Sequence, residues 1–225
     1  IKAISIDLDD TLWPIWPTIA KAEEAVLQWL KAHAPQTAER LDNVATVRAL
    51  REEITALRPD LASDVAALRR ESIRLALTRS GDDPALAEPA FEVFFAARQQ
   101  VEFFADALPA LEFLARRWPV VALSNGNANV RSIGIARHFH AALSATDSGM
   151  AKPEARFFHA AARAARVEPH EVLHIGADAL LDVRGARDAV MHAAWLNRAG
   201  SAWLHGGPAP QITVASLAEL CEGLA

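Results

Sequence analysis

Apolar positions along the 225-residue chain follow two different rhythms. Short runs of Val, Ile, Leu and Ala occupy 2–8 (KAISIDL), 120–125 (VVALSN), 141–147 (AALSATD), 172–178 (VLHIGAD), 192–197 (HAAWLN) and 211–216 (QITVAS). Each ends in small or polar residues. Near-continuous apolar runs of this length, closed by turn formers, predict strands buried on both faces. Between them the spacing changes to a helical one over 107–117, 127–138, 154–166, 179–189 and 216–224. Alternating strands and helices predict an α/β fold: a Rossmann-like open parallel sheet with helices on both faces.

The second rhythm runs from Pro14 to Val101, where no strand pattern occurs. Ala-, Leu-, Glu- and Arg-rich stretches there carry helical spacing, punctuated by Pro35, Pro59, Pro84 and Pro89. This predicts about three or four helices inserted after the first strand. The expected division is residues 1–13 with 102–225 as the α/β core and 14–101 as a helical domain. Phe91, Phe94, Phe95, Phe103 and Phe104 have near-helical spacing and are expected in the core of that insertion. Its arginines, among them Arg48, Arg51, Arg58, Arg69, Arg70, Arg74 and Arg79, alternate with acids and predict a solvated face; one of them meeting an anionic ligand is the other reading. Residues 199–211, rich in Gly and Pro, predict an exposed loop.

Composition narrows the classes. Hydrophobic residues make up 52%, enough for a sizeable core, and the net charge of −5 leaves no basic footprint for nucleic acid or an anionic membrane surface. No apolar run approaches the ~20 residues that span a bilayer, and the first residues lack the two-part pattern of a signal peptide, so a cytoplasmic protein is expected. Cys221 is the single cysteine and has no neighbour to activate it, which predicts a structural thiol. The His138-Phe139-His140 stretch is expected at the surface, and His174, inside a strand pattern, as a satisfied core residue.

Chemistry concentrates at the strand ends. In ISIDLDDTLW, Asp7 and Asp9 share a side of an extended segment, and Thr11 follows in a turn. Open parallel sheets bind ligands at the carboxyl ends of their strands. Clustered carboxylates there suit a cation with a covalent or acid–base role, since uncompensated they repel; a capped strand end is the alternative. Ser124-Asn125-Gly126-Asn127 offers a hydroxyl and backbone N–H groups for a phosphate, or an ordinary turn. Lys152, before Pro153, can neutralise phosphate charge or be solvated. Asp178 and Asp182 follow the fourth run, four residues apart.

In this order and spacing, DLDDTLW, VVALSNGNA, KPEARFF and VLHIGADALLDVRGA resemble the haloacid-dehalogenase superfamily of hydrolases. The likeness spans essentially the whole chain. It is most similar to the bacterial phosphatases of flavin mononucleotide and its ribitylaminouracil-phosphate precursor. The resemblance implies a cap domain at 14–101 and an Mg²⁺-dependent phosphatase acting on a small phosphorylated metabolite. It implies that Asp7 is the nucleophile forming an aspartyl-phosphate and Asp9 the general acid and base. Ser124, the Asn125 amide and Thr11 would bind phosphate, and Lys152 would steady nucleophile and phosphoryl group. Asp7, Asp9, Asp178 and Asp182 would serve Mg²⁺, Asp182 by steadying either Lys152 or the metal's waters. Trp13 and Trp16 would either stack on a substrate ring or pack the hinge; Asn127 and Asn129 would touch substrate or cap a helix.

Two positions depart from that pattern. Relatives commonly carry Gly-Asp-Asp in the fourth motif, where this chain has Gly176-Ala177-Asp178. The expectation is weakened metal binding. A catalytically impaired phosphometabolite-binding protein is the alternative reading. Val190 replaces a common Gly, a change expected to concern packing beside the fifth strand. A third reading, a 2-haloacid dehalogenase, is disfavoured because the Asp9 position there is not an acid: an alkyl halide needs no protonated leaving group.

Overall fold

The computed structural model describes residues 1–41, 44–61, 64–206 and 209–225. It divides into two compact units, Ile1–Pro14 with Glu102–Ala225, and Ile15–Val101.

Along the chain, β1 (Ala3–Ile6) leads directly into the helical unit: α1 (Ile15–His33), α2 (Pro35–Arg40), α3 (Val44–Leu57), α4 (Val65–Ser80) and α5 (Ala87–Arg98). The other unit then resumes with α6 (Ala107–Ala115), β2 (Val120–Ser124), β3 (Ala141–Ser144), the short α7 (Ala145–Ser148), α8 (Ala155–Ala165) and β4 (Val172–Gly176). It ends with α9 (Gly185–Asp188), β5 (His192–Leu196), β6 (Ile212–Val214) and α10 (Leu217–Gly223). All six strands are parallel in the order β3-β2-β1-β4-β5-β6. Every residue of β1, β2 and β4 is buried, as their predominantly apolar sequences require, and the polar Ser5 of β1 and His174 of β4 are hydrogen-bonded to each other.

The sheet's core gathers Val121, Leu123, Phe157, Phe158, Val172 and Val183. The helical unit has its own, built from α1, α4 and α5 around Val26, Leu30, Ile73, Leu77, Phe91 and Phe94. The prolines act at helix starts: Pro35 opens α2, and Pro89 lies in the first turn of α5, where its missing N–H costs nothing. Asp64 caps α4 by accepting from the N–H groups of Ala66 and Ala67. Among the described residues no helix is long and apolar enough to cross a membrane.

Some expectations fail locally. Residues 127–138 form turns and one 3₁₀ turn, Ala136–His138, instead of a helix. Asn129 accepts from the N–H groups of Arg131 and Ser132, and Gly134 adopts φ 88°; both favour turns over helix continuation. His138 is buried, not at the surface. Phe103 and Phe104 belong to the sheet unit, where Phe103 meets Trp13 edge-on and Phe104 lies under Arg198. Arg69 is half-buried, its side chain 14% exposed and its guanidinium 3.7 Å from the Phe94 ring centre, so it is no member of a fully solvated face. Val190 is exposed and adopts φ 62°; its departure concerns backbone conformation and not packing.

Candidate active site

β1 lies between β2 and β4, and chain direction across the sheet reverses around it, which leaves a crevice at the carboxyl ends of these strands. Asp7 follows β1 there and is 8% exposed. Lys152, in the loop before α8, donates to Asp7 Oδ1 at 2.5 Å and to Asp182 Oδ1 at 2.6 Å. The sequence separations are 145 and 30 residues, so the sheet alone makes this cluster.

Asp182 arrives by an unusual winding. Residues Ala179–Arg184 form a π-helical turn in which the N–H groups of Asp182 and Val183 both donate to the Asp178 carbonyl. The Asp182 carboxylate is thereby turned back over Gly176. It accepts from Lys152, from the Asp178 backbone N–H at 2.9 Å, and from His174 Nε2 at 3.3 Å. Since a carboxylate only accepts, His174 carries its proton on Nε2, and its Nδ1 accepts from the Ser5 hydroxyl at 2.8 Å. Burial holds the His174 pKa below its usual value, which keeps the ring neutral. His174 is a satisfied core residue that also aims Asp182.

Charge does not balance in this pocket. Burial raises the Asp7 carboxyl; Lys152 pulls it down, Asp182 and Asp9 push it up, and the outcome is about 7. Burial likewise disfavours ionised Asp182, but Lys152 and His174 hold its pKa well below the carboxylate range. For Lys152, burial is outweighed by Asp182 and Asp7, so its pKa is raised. One ammonium thus serves two buried carboxylates, with Asp9 nearby.

The remaining candidates divide. Thr11 is fully buried with Oγ1 3.4 Å from Asp7 Oδ2. Ser124 lies at the end of β2, its Oγ accepting from the Gly126 N–H at 3.0 Å. The Asn125 side chain clamps the backbone of Lys152, accepting from its N–H at 2.7 Å and donating to its carbonyl at 2.8 Å. That positioning role was not read from sequence; an Asn at a strand end with two-sided bonding capacity was its only signal. Asn127 is half-buried in the turn that follows. Trp13 is fully buried and donates to Asp9 Oδ1 at 2.8 Å, so it orients an acid and cannot stack on a substrate. Trp16 belongs to the helical unit and is exposed. Arg198 and Asp106 were also missed: Arg198 pairs with both Asp106 oxygens and donates to the Thr11 carbonyl at 3.2 Å, fixing the turn after β1.

The four acids expected to serve a cation do not converge; among the described residues no group of three His, Cys, Asp or Glu could hold one. Asp178 is exposed and spends Oδ1 on the N–H groups of Leu180 and Leu181 as a helix cap. Both oxygens of Asp182 are engaged, and residue 177 has no carboxylate. What fits a hard cation is the Asp7–Asp9 edge: it carries the unbalanced negative charge, and Mg²⁺ is commonly held by only one or two carboxylates while keeping its waters.

Known proteins resemble this arrangement over its full extent. The family model described as "Hydrolase: haloacid dehalogenase-like hydrolase" matches residues 1–189. The 5-amino-6-(5-phospho-D-ribitylamino)uracil phosphatase YigB of Escherichia coli is 32% identical over 200 residues, covering 87% of this chain and 83% of that protein. Phosphoserine phosphatase of Thermus thermophilus is 33% identical over 144 residues, 61% of this chain and 58% of that one. A crystal structure of a 2-haloacid dehalogenase from Pseudomonas syringae pv. Tomato superposes with a TM-score of 0.91 at 36% identity, covering 100% of this chain and 98% of the other. With its sheet order, its Asp7–Lys152–Asp182 cluster and a family match over most of its length, the chain belongs to the haloacid dehalogenase-like hydrolases.

Proposed function

We propose that the protein is a phosphoric monoester hydrolase working through Asp7, with Ile15–Val101 as its cap domain. The observation that carries this reading is the pairing of two differently held acids at the end of β1. Asp7 is buried against Lys152, and Asp9, two residues on, is half-buried and oriented by the Trp13 indole. In the first step an Asp7 carboxylate oxygen attacks phosphorus, and the bond from phosphorus to the ester oxygen breaks. The Asp9 carboxyl gives its proton to the leaving alkoxide. In the second step Asp9 takes a proton from water as that water attacks the aspartyl-phosphate, releasing inorganic phosphate and restoring Asp7. Lys152 offsets charge on Asp7 and on the transferring group, and Ser124 Oγ with the Asn125 N–H would receive the phosphate oxygens.

The Asp7 carboxylate and the Asp9 backbone carbonyl would hold Mg²⁺. When bound, it would neutralise charge on the phosphoryl oxygens and favour ionised Asp7. The substrate we propose is a ribityl phosphate monoester, either flavin mononucleotide or 5-amino-6-(5-phospho-D-ribitylamino)uracil, on the strength of the likeness to YigB. A 2-haloacid dehalogenase is the second reading, favoured by the likeness to the Pseudomonas syringae enzyme. Asp9 weighs against it, because halide leaves without a proton.

The deciding assay measures phosphate release from flavin mononucleotide and p-nitrophenyl phosphate, and halide release from 2-chloropropionate, across a Mg²⁺ titration. The wild type is compared with Asp7→Asn, Asp9→Asn and Ala177→Asp. Phosphate release abolished by Asp7→Asn and Asp9→Asn, and saturating at lower Mg²⁺ in Ala177→Asp, is expected. Halide release that survives Asp9→Asn would overturn the proposal in favour of the dehalogenase. Silence towards every phosphoester with retained phosphate binding would make this a binding protein.

A further inference from the structure

The helical unit contains a cavity that the chemistry above does not use. It measures about 280 Å³ and is walled by Leu27, Leu30, Leu41, Val47, Ile73 and Phe94. Its origin is visible in the packing. α1, α4 and α5 supply most of the unit's apolar cluster, whereas α3 packs on α4 and, among the described residues, gives none to that cluster. The apolar side chains of α1 that face Val47 therefore border open space. Ligand pockets typically begin at about 300 Å³, so this one suits a small molecule.

One wall is charged, and unevenly so. Arg69 reaches the cavity from α4, its guanidinium over the Phe94 ring, and its Nη1 donates to Glu23 Oε1 at 3.2 Å. The same oxygen accepts from Arg51 Nη2 at 2.6 Å. Two guanidiniums thus share one carboxylate oxygen. Arg98, 1% exposed, is a third cation whose charge acts on Arg69. Burial, together with Arg51 and Arg98, pushes the Arg69 pKa down to about 10, against the pull of Glu23. Glu24 also borders the cavity but is exposed to water, which screens it. A guanidinium donates through five N–H groups in a planar fork, and Glu23 leaves part of that capacity on two arginines unused.

We infer that this cavity is a binding site for a small amphipathic anion: an aromatic or aliphatic body seated among Leu27, Leu30, Val47 and Ile73, with a carboxylate, sulfonate or phosphate on Arg69, beside the Glu23–Arg51 pair. The apolar walls supply affinity, and the half-dry Arg69 guanidinium supplies charge selection, since a charge-assisted fork is stronger away from water. Binding here is read without turnover, so it stands or falls separately from the Asp7 chemistry.

The probe is 8-anilino-1-naphthalenesulfonate, titrated into the full chain by calorimetry and fluorescence, beside the uncharged N-phenyl-1-naphthylamine. One saturable site preferring the anion at least tenfold is expected. Ala20→Trp, at an exposed lining position, should fill the cavity and weaken binding at least tenfold. Arg69→Met should do the same, and Glu23→Gln should tighten binding severalfold by freeing both guanidiniums. Thermal unfolding checks each variant; if Arg69→Met does not fold, Ala20→Trp and Glu23→Gln decide. Equal affinity for the two probes, binding unmoved by Ala20→Trp, or weakening by Glu23→Gln would overturn the inference. So would a concentration-dependent dimer in sedimentation that Ala20→Trp abolishes, because the cavity would then be an interface between copies.

Discussion

Removing the charge of Asp7 should stabilise the metal-free protein at alkaline pH while it abolishes turnover. Lys152 is shared by Asp7 and Asp182 at 2.5 and 2.6 Å, and Asp9 adds a further negative charge. Burial, with those two carboxylates, lifts the Asp7 pKa from the ordinary 3.8 to about 7 despite Lys152. In that window the unfolded chain has released the Asp7 proton and the native state has kept it. The native state therefore binds more protons, and stability falls as pH rises from about 4 to about 7. At about 1.36 kcal/mol per pH unit the full loss is about 4 kcal/mol, an upper figure because relaxation and entering water reduce it. Asp7→Asn cannot ionise, so it should match the wild type near pH 4 and exceed it by about 2–4 kcal/mol at pH 8. Urea denaturation in EDTA from pH 4 to 8.5 measures the difference. Adding millimolar Mg²⁺ should then narrow the gap, because a cation on the Asp7–Asp9 edge stabilises only the ionised site. A variant less stable than the wild type at pH 8, or a difference independent of pH, would refute the reasoning and make the Asp7–Lys152 pair a net stabiliser.

Three further outcomes follow from local geometry. A Cβ at Gly176 would lie 2.2 Å from the Asp182 Cγ, so Gly176→Ala should expel that carboxylate, cost about 3–5 kcal/mol through the broken buried ion pair and suppress activity; wild-type stability by urea unfolding would contradict it. Val190→Gly should gain about 1 kcal/mol in the same measurement, because a β-branched residue at φ 62° is strained and this side chain is exposed; a loss would mean the side chain has a packing role after all. Asp106 accepts from Arg198 twice and from the Leu217 N–H at 2.7 Å. Burial opposes its ionisation, but those donors hold its carboxyl below the usual range. Asp106→Ala should cost about 2–3 kcal/mol at neutral pH, and the cost should shrink as pH falls through that carboxyl's titration; a pH-independent cost would refute the ionic account.

The sheet was legible because its strands announce themselves: β1, β2 and β4 are apolar runs with at most one polar residue each, a composition that burial on both faces explains. The helical character of 15–101 was equally plain, since prolines and caps mark its boundaries. What periodicity could not reveal was the turn region 127–138, where Asn129 and Gly134 override a helical spacing by local bonding. Nor could it reveal that Trp13 is buried on Asp9 rather than open to a ligand: a Trp beside a site serves either purpose, and only the indole N–H geometry separates them. The arginines misled for a similar reason. Arg69 and Arg70 each lie over a phenylalanine of α5, Phe94 and Phe91, while pairing with Glu23 and Glu88 in turn, so an alternation of charges that predicted a solvated face also serves packing on rings.

The fourth motif shows how the two kinds of knowledge join. The family resemblance marks Ala177 as a missing acid, and implies that Asp178 could serve the metal through a water while Asp182 steadies Lys152 or the metal's waters. Geometry spends Asp178 on a helix cap and places Asp182 under Lys152, His174 and a backbone N–H, the steadying role expected of it. It also shows that the loss is not imposed by the fold. Gly176 has no room for a Cβ, whereas Ala177 already carries one in a half-buried position, and its bond to the rest of the protein runs through its carbonyl to the Trp195 indole. An aspartate at 177 would keep that bond and leave Asp182 in place. The cluster that orients Lys152 is thus built independently of residue 177, so under the proposed mechanism the positioning of Asp7 and the recruitment of a cation would be separable properties, and a substitution at 177 should change the second without disturbing the first.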